Sequence, residues 1–88
     1  MKIDVIFSAE ALYDYMEWQM TDKKIAAKIN ALIKDIQRNG LINGIGKPEV
    51  LKNIKGYSRR INEYHRLIYR CDELQNLRII SCKGHYED

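Results

Sequence analysis

The sequence predicts an α+β fold in which a small antiparallel β-sheet carries an αα-hairpin packed on one face. Two helical stretches joined by a very short link occupy residues 9–39 and predict the pair of helices. β-prone runs beyond residue 57 predict the strands. With 88 residues and 45% apolar content, the chain is expected to form one domain, residues 1–88, that buries roughly 60% of its unfolded surface. We therefore expect any active site on a sheet face and its adjoining loops.

The first strand and the first helix are predicted between Lys2 and Met20. Alternation predicts a short strand from Lys2 to Phe7, and Ser8 then offers an N-cap hydroxyl to a helix that begins at Ala9. Residues that recur at helical spacing are expected on the buried face of this helix. They are Leu12, Tyr15, Met16 and Gln19.

The second helix has the clearest periodicity in the chain. Asp22 is the expected N-cap of a helix that begins at Lys23, and Gly40 supplies the residue that ends it. The stripe predicted to face the core consists of Ile25, Ile29, Leu32, Ile33 and Ile36. Lysines on the opposite face indicate either solvation or a secondary role in holding RNA; they are Lys23, Lys24, Lys28 and Lys34.

The segment after this helix is predicted to be a loop followed by a brief helix. Glycines punctuate residues 41–47, and their spacing does not match a phosphate-binding P-loop. Pro48 is expected to fix the first turn of a short helix through Lys52. Glu49 then lies at a rigid corner, where its carboxylate is either a candidate general base or an ordinary first-turn acid favoured by the helix dipole.

Residues 57–69 are predicted to form a β-hairpin around the loop Asn62-Glu63-Tyr64. With this loop, Arg60 lies directly opposite Arg66 on one face of the hairpin. The core face is expected to carry Tyr57, Ile61, Leu67, Tyr69 and Cys71, and the other face Ser58, Arg60, Arg66 and Arg70. Opposed like charges are unfavourable unless an anion lies between them, so the second face is either a phosphate-binding surface or a solvated outer face.

The last strand, Leu77 to Cys82, has apolar residues on both of its faces at its centre. It is therefore expected inside the sheet. It leads to His85 and Tyr86 near the end of the chain. Because His65 is expected on or near the core face, His85 is the histidine placed to titrate in solvent near neutral pH. The alternative is a frayed tail without function.

The charge balance suits nucleic acid without requiring it, and the lack of membrane and targeting signals predicts a cytoplasmic protein. Fifteen Lys and Arg residues against 12 Asp and Glu give a mildly basic chain with a pI near 8.9. No apolar run is long enough to span a bilayer, and no signal peptide is recognisable, so no membrane association is expected. Cys71 and Cys82 are expected to be reduced, and neither a cofactor nor a metal site is expected, since no second ligand pair accompanies Cys82 and His85.

A loop carboxylate, a pair of strand arginines and a terminal His–Tyr pair match what RNA cleavage without a metal requires. The 2′-hydroxyl must lose a proton, the 5′-oxygen must gain one, and the crowded phosphorane must be held by fixed cations. Glu49, His85 and the hairpin arginines supply these groups.

Several motifs follow one another in a fixed order: Tyr15-Met16-Glu17-Trp18-Gln19, Thr21-Asp22-Lys23, residues 28–35, Gly46-Lys47-Pro48-Glu49, Leu51-Lys52, Ser58-Arg59-Arg60-Ile61, His65-Arg66-Leu67-Ile68-Tyr69 and His85-Tyr86. In these motifs the sequence resembles the YoeB/Txe toxins of the RelE superfamily, which are bacterial type II toxin–antitoxin ribonucleases. The resemblance covers essentially the whole chain. It implies a microbial-ribonuclease-like fold, a small antiparallel sheet with two helices on one side.

The resemblance also implies roles for individual residues: Glu49 as general base, Arg66 as the phosphate-stabilising arginine, His85 as general acid, Tyr86 as the base-stacking residue, and Lys52 and Arg60 in support. It implies cleavage of mRNA in the ribosomal A site by 2′-hydroxyl attack. The implied partners are the 70S ribosome with mRNA, a YefM/Axe-type antitoxin and a second copy of the chain. The sequence departs from the family by continuing to Glu87-Asp88 and by a shorter segment between Lys52 and Tyr57.

Two other functions are compatible with this fold. One is a non-enzymatic toxin similar to ParE, which binds DNA gyrase; such toxins lack the Glu, Arg and His–Tyr set. The other is a plain RNA-binding module that uses the basic hairpin as its platform. Because the net charge is only +3, we expect the ribosome to contribute much of the substrate positioning.

Overall fold

The computed structural model describes residues 4–85, and within them two helices pack on one sheet. Along the chain the elements are β1 (Val5–Phe7), α1 (Ala9–Thr21), α2 (Lys23–Asn39), β2 (Glu49–Val50), β3 (Tyr57–Arg60), β4 (Arg66–Cys71) and β5 (Leu77–Ser81). The strand order is β1-β5-β4-β3-β2. Strands β2 to β5 pair antiparallel, whereas β1 pairs parallel with β5, so the sheet is mixed. The predicted α+β class is confirmed; Lys2 and Ile3 of the predicted first strand lie outside the described residues.

Two capping residues set the boundaries of the helices, as predicted. The Ser8 hydroxyl accepts a hydrogen bond from the Ala11 N–H at 3.0 Å and begins α1. The Asp22 carboxylate accepts from the N–H groups of Lys24 and Ile25 and begins α2, while the Asp22 N–H donates to the Trp18 carbonyl and ends α1. One residue therefore both closes the first helix and opens the second, which forces the two into an antiparallel hairpin.

The buried face of α1 agrees with the predicted one at Tyr15 and differs from it at Leu12, Met16 and Gln19. Ala11 is fully buried and Tyr15 and Trp18 are half-buried against the core, whereas Leu12 and Met16 are 41% and 52% exposed. Gln19 is exposed as well. Both sets of residues recur at helical spacing, so periodicity alone does not choose between them. The small Ala11 side chain lets the helix approach the sheet closely, and that contact selects the observed face.

The core lies between α2 and the sheet. All five residues of the predicted α2 stripe face it, four of them buried and one partly buried: Ile25, Ile29, Leu32, Ile36 and Ile33. They pack with buried side chains of the central strands, namely Leu67, Tyr69, Leu77 and Ile79. Strand β5 lies between β1 and β4, which confirms its predicted interior position. Of the described residues, no helix has the length and apolar character needed to cross a membrane.

The prediction of a short helix after Pro48 is wrong. Glu49–Val50 instead form β2, a strand at the edge of the sheet. Glu49 pairs with Ser58 and Val50 pairs with Tyr57. Lys47 adopts a left-handed φ of 49°, which turns the chain out of the preceding loop and toward β3. Since proline lacks an N–H, it is tolerated beside an edge strand as well as in the first turn of a helix, and here strand pairing prevails.

Candidate active site

The hairpin of β3 and β4 places the two predicted arginines on one face. Arg60 lies directly opposite Arg66 in the ladder, as predicted. Directly opposed residues share a face, with Cβ atoms about 4.5–5.5 Å apart. The opposite face of the same strands carries Leu67 and Tyr69, which are buried against the helices. The arginine face is therefore the side of the sheet that the helices leave uncovered.

Strand β2 adds Glu49 to this face. Glu49 lies opposite Ser58, which is two residues from Arg60 and therefore points the same way. Glu49 and Arg60 are diagonal neighbours, a relation in which Cα atoms lie about 7–8 Å apart and long side chains can reach one another. Both side chains are exposed, while Ser58 and Ile68 between the charged groups are buried. The exposed charged groups therefore flank two buried residues on this face of the sheet.

The hairpin turn holds the Arg66 guanidinium. The Asn62 side chain accepts hydrogen bonds from the N–H groups of Tyr64 and His65, at 2.8 and 2.6 Å, which closes the predicted three-residue loop. Arg66 Nη1 then donates to the carbonyls of Asn62, Glu63 and His65 at 2.8 to 3.2 Å. Within the described residues, no hydrogen bond engages the other two guanidinium nitrogens of Arg66, so they can receive an anion.

The carboxyl-terminal segment returns to the start of β4. The Arg66 N–H donates to the Gly84 carbonyl at 3.0 Å, and the Gly84 N–H donates to His65 Nδ1 at 2.9 Å. The residue before His85 is therefore bonded beside Arg66. His85 is exposed, in agreement with its predicted contact with solvent. Tyr86 lies outside the described residues.

The structure thus brings together on one face three of the predicted site residues, Glu49, Arg60 and Arg66, and it holds Gly84, the residue before His85, beside Arg66. Lys52 is exposed in the turn between β2 and β3. In residues 4–85, no three His, Cys, Asp or Glu side chains converge as a metal site would require.

Arg59 has a structural role that the sequence reasoning missed. It is fully buried, although it stands between Ser58 and Arg60. Its Nε donates to the Tyr69 hydroxyl and its Nη1 to the Asp35 carboxylate. Its remaining bonds go to backbone carbonyls of the loop after α2: Gly40, Asn43 and Ile45. Strand alternation was the available signal, since it directs Arg59 to the core face, where a charge requires partners.

The contacts around Arg59 shift the pKa values of its two titratable partners, Asp35 and Tyr69. Burial raises the pKa of Asp35, but hydrogen bonds from Arg59, the Ile45 N–H and the Asn39 side chain outweigh it and hold the pKa below its usual range. Burial raises the pKa of the Tyr69 hydroxyl, and Arg59 offsets only part of that effect. Asp35 is therefore a carboxylate and Tyr69 a neutral phenol at neutral pH.

The same cluster fixes the loop that delivers Glu49. Gly44 has φ of 116°, and a Cβ on it would stand 1.9 Å from the Asp35 carboxylate. Gly46 has φ of 82°, and its carbonyl accepts a hydrogen bond from the Arg60 N–H at 2.6 Å. Only glycine tolerates these conformations and contacts. The loop is thus anchored to β3 just before Glu49.

A family model described as the YoeB-like toxin of bacterial type II toxin-antitoxin systems matches residues 7–86. Toxin YoeB of Escherichia coli (strain K12) is 50% identical over 84 residues, which cover 93% of this chain and 98% of that protein. Toxin YoeB of Synechocystis sp. is 48% identical over 85 residues, with 94% and 96% covered.

Solved structures show the same similarity. The YoeB dimer from Staphylococcus aureus is 50% identical and superposes with a TM-score of 0.89, covering 98% of this chain and 100% of that chain. A heterotetrameric YoeB–YefM toxin–antitoxin complex from the same organism gives 49% identity and a TM-score of 0.87 over the same shares. The E. coli DinJ–YafQ complex, at 21% identity and a TM-score of 0.76, shares the fold over 96% of this chain and 94% of that one.

Proposed function

Since this chain belongs to the YoeB-like toxins of bacterial type II toxin–antitoxin systems, we propose that it is an endoribonuclease that cleaves mRNA in the ribosomal A site and so inhibits translation. One observation carries the proposal. Glu49, Arg60 and Arg66 share a face of the sheet, and Gly84, the residue before His85, is hydrogen-bonded beside Arg66. This arrangement supports a carboxylate, guanidinium groups and an imidazole acting on one phosphate.

In this proposal Glu49 is the general base and His85 the general acid. The carboxylate accepts the proton of the 2′-hydroxyl as that oxygen attacks the adjacent phosphorus. The bond from phosphorus to the 5′-oxygen then breaks, and His85 gives a proton to the leaving oxygen. The products are a 5′-hydroxyl and a 2′,3′-cyclic phosphate, which water can open to a 3′-phosphate, and no metal ion takes part.

Arg66, with support from Arg60 and Lys52, stabilises the phosphorane. Two opposed arginines repel each other across the ladder, and a phosphate between them removes that cost. Because the turn carbonyls already hold the Arg66 guanidinium, little reorganisation is needed when charge develops on the phosphorane. Tyr86 is proposed to stack on a base of the substrate.

We further propose that the partners are the 70S ribosome with mRNA, a YefM-type antitoxin and a second copy of the chain, all in the cytoplasm. The Staphylococcus aureus relatives form a dimer and a YoeB–YefM heterotetramer. A net charge of +3 gives little general attraction to RNA. The ribosome therefore has to supply much of the substrate positioning.

Single-turnover cleavage of mRNA on purified, programmed ribosomes tests the assigned roles. Glu49→Gln, Arg66→Ala and His85→Ala should each slow cleavage by about 10²-fold or more. Glu73→Gln and Arg38→Ala make the same charge changes at exposed positions in the turn after β4 and in the last turn of α2. These control variants should cleave at the wild-type rate.

Further outcomes decide between the functions. A 2′-deoxy nucleotide at the cleaved position should block the reaction, because it removes the nucleophile. A wild-type rate in either His85→Ala or Arg66→Ala would contradict the assignment. If the wild-type protein leaves the mRNA intact, a binding function is favoured, and a DNA supercoiling assay then separates gyrase binding from plain RNA binding.

A further inference from the structure

We propose that His65 is a positioning residue that sets the general acid in place by accepting a hydrogen bond from the backbone of the carboxyl-terminal segment. The inference deepens the proposed function and rests on it. His65 does not face the substrate side of the sheet. Its ring holds Gly84, and Gly84 directly precedes His85.

Neighbouring groups fix the orientation of the His65 ring. The Trp18 ring contacts it edge-on, with centroids 4.9 Å apart, and the Tyr64 ring stands perpendicular to it at 5.0 Å. The His65 carbonyl accepts a hydrogen bond from the Ile61 N–H at 2.9 Å. With ring and backbone both held, Nδ1 points at the Gly84 N–H, at 2.9 Å. This bond requires the tautomer in which Nδ1 carries no proton.

Three consecutive residues before His85 are anchored. The Trp18 indole N–H donates to the Cys82 carbonyl at 3.0 Å. The Lys83 ammonium pairs with the Glu17 carboxylate at 3.3 Å and lies over the Trp18 ring at 5.6 Å. Gly84 is held on both sides, its N–H by His65 and its carbonyl by the N–H of the first residue of β4. The backbone is therefore held as far as Gly84, the residue directly before the proposed general acid His85.

The bond at Gly84 controls the direction in which the chain continues. Gly84 has a φ of 88°, a backbone conformation that residues with a side chain rarely adopt. The chain therefore turns sharply at this point. Losing the His65 acceptor frees the turn, and the following imidazole then samples positions away from Arg66. A displacement of about 1 Å in a catalytic group can cost about 10²-fold in rate.

Two substitutions distinguish the hydrogen bond that His65 accepts from the packing of its ring. His65→Phe keeps an aromatic ring against Trp18 and removes the acceptor. His65→Asn places a carbonyl oxygen near the position of Nδ1 and keeps an acceptor. In His65→Phe, amide exchange at Gly84 should become about 10-fold faster, and kcat for mRNA cleavage should fall about 10–100-fold with little change in KM. His65→Asn should restore most of the protection of the Gly84 amide and most of kcat, although it removes more of the packing against Trp18 than His65→Phe does.

Wild-type protection at Gly84 and wild-type kcat in a folded His65→Phe variant would overturn the proposal, and so would a folded His65→Asn variant no better than His65→Phe. The ¹⁵N shifts of the His65 ring in the wild-type protein give a test that needs no variant. They should show a proton on Nε2 and none on Nδ1, and a protonated Nδ1 would overturn the proposal. If the wild-type protein does not cleave mRNA, the proposed function fails, while the exchange and ring-shift measurements still decide whether His65 holds Gly84.

Discussion

Replacing Arg59 by Met should destabilise the protein far more than replacing Arg60 by Met. Both changes remove one positive charge from β3, but the Arg59 side chain is fully buried and that of Arg60 is exposed. Methionine keeps much of the apolar stem and removes every N–H donor. The Tyr69 hydroxyl and the loop carbonyls of Gly40, Asn43 and Ile45 then lose their donor.

The magnitude follows from these lost bonds. A buried acceptor left without its donor costs about 1–3 kcal/mol, and we take the lower value because the loop residues have some access to water. Three carbonyls then give about 3 kcal/mol, with nothing counted for Asp35, whose side chain keeps 14% exposure. In a domain of this size each kcal/mol lowers Tm by about 4–8 °C, so Arg59→Met should lose about 12–24 °C. Arg60→Met should stay within about 0.5 kcal/mol of the wild type.

Thermal unfolding followed by far-ultraviolet circular dichroism measures both variants. Equal Tm values for Arg59→Met and Arg60→Met would refute this reasoning. A double-mutant cycle with Asp35→Asn adds a check, because Asp35→Asn should cost much less once Arg59 is gone. Arg60→Met should remain folded but cleave slowly, because Arg60 lies on the face that carries Glu49 and Arg66.

Three further predictions concern stability and thiol chemistry. Asp22→Ala should lower the free energy of unfolding by about 1 kcal/mol, since its carboxylate caps α2, and unchanged urea unfolding would contradict this. A thiol reagent at pH 8 should label the partly exposed Cys71 and spare Cys82, because burial, and then nearby carboxylates, raise the pKa of Cys82 to about 12; peptide mass spectrometry should find unequal labelling. The Arg78 guanidinium, 2.9 Å from Asp72, holds the pKa of that carboxyl below its usual range. Its stabilisation is therefore present above about pH 4 and is lost as pH falls through the lower folded-state pKa, so Asp72→Asn should weaken the acid dependence of urea unfolding.

Features set by neighbouring residues could be predicted from the sequence. Ser8 and Asp22 cap helices with their own side chains, and the α2 stripe follows from a single periodicity. The hairpin register follows from a turn of three residues, which fixes Arg60 opposite Arg66. In each case the deciding interaction lies within a few positions along the chain.

Features decided by distant contacts could not be predicted in the same way. The segment after Pro48 is a strand because β3 pairs with it, and no local signal outweighs the preference of proline for a helical first turn. The face of α1 depends on the close approach of Ala11 to the core. Arg59 was predictable as a core-facing charge, but its partners come from Asp35 and a loop whose path the sequence does not reveal.

The same limit applies to the candidate site. The residue types and the shared face of Arg60 and Arg66 followed from the sequence. The sequence did not predict that Glu49 lies on a strand beside β3. It also did not predict that the segment after β5 is hydrogen-bonded to His65 through Gly84. These contacts join residues far apart in sequence, and only the sheet order brings them together.

Primer extension on mRNA from programmed ribosomes tests the central claim most directly. The wild-type protein should produce a new end within the A-site codon, bearing a 5′-hydroxyl on the downstream fragment, and His85→Ala should abolish that end within the same reaction time. Full-length mRNA after incubation with the wild-type protein, or an end that persists undiminished with His85→Ala, would contradict the account.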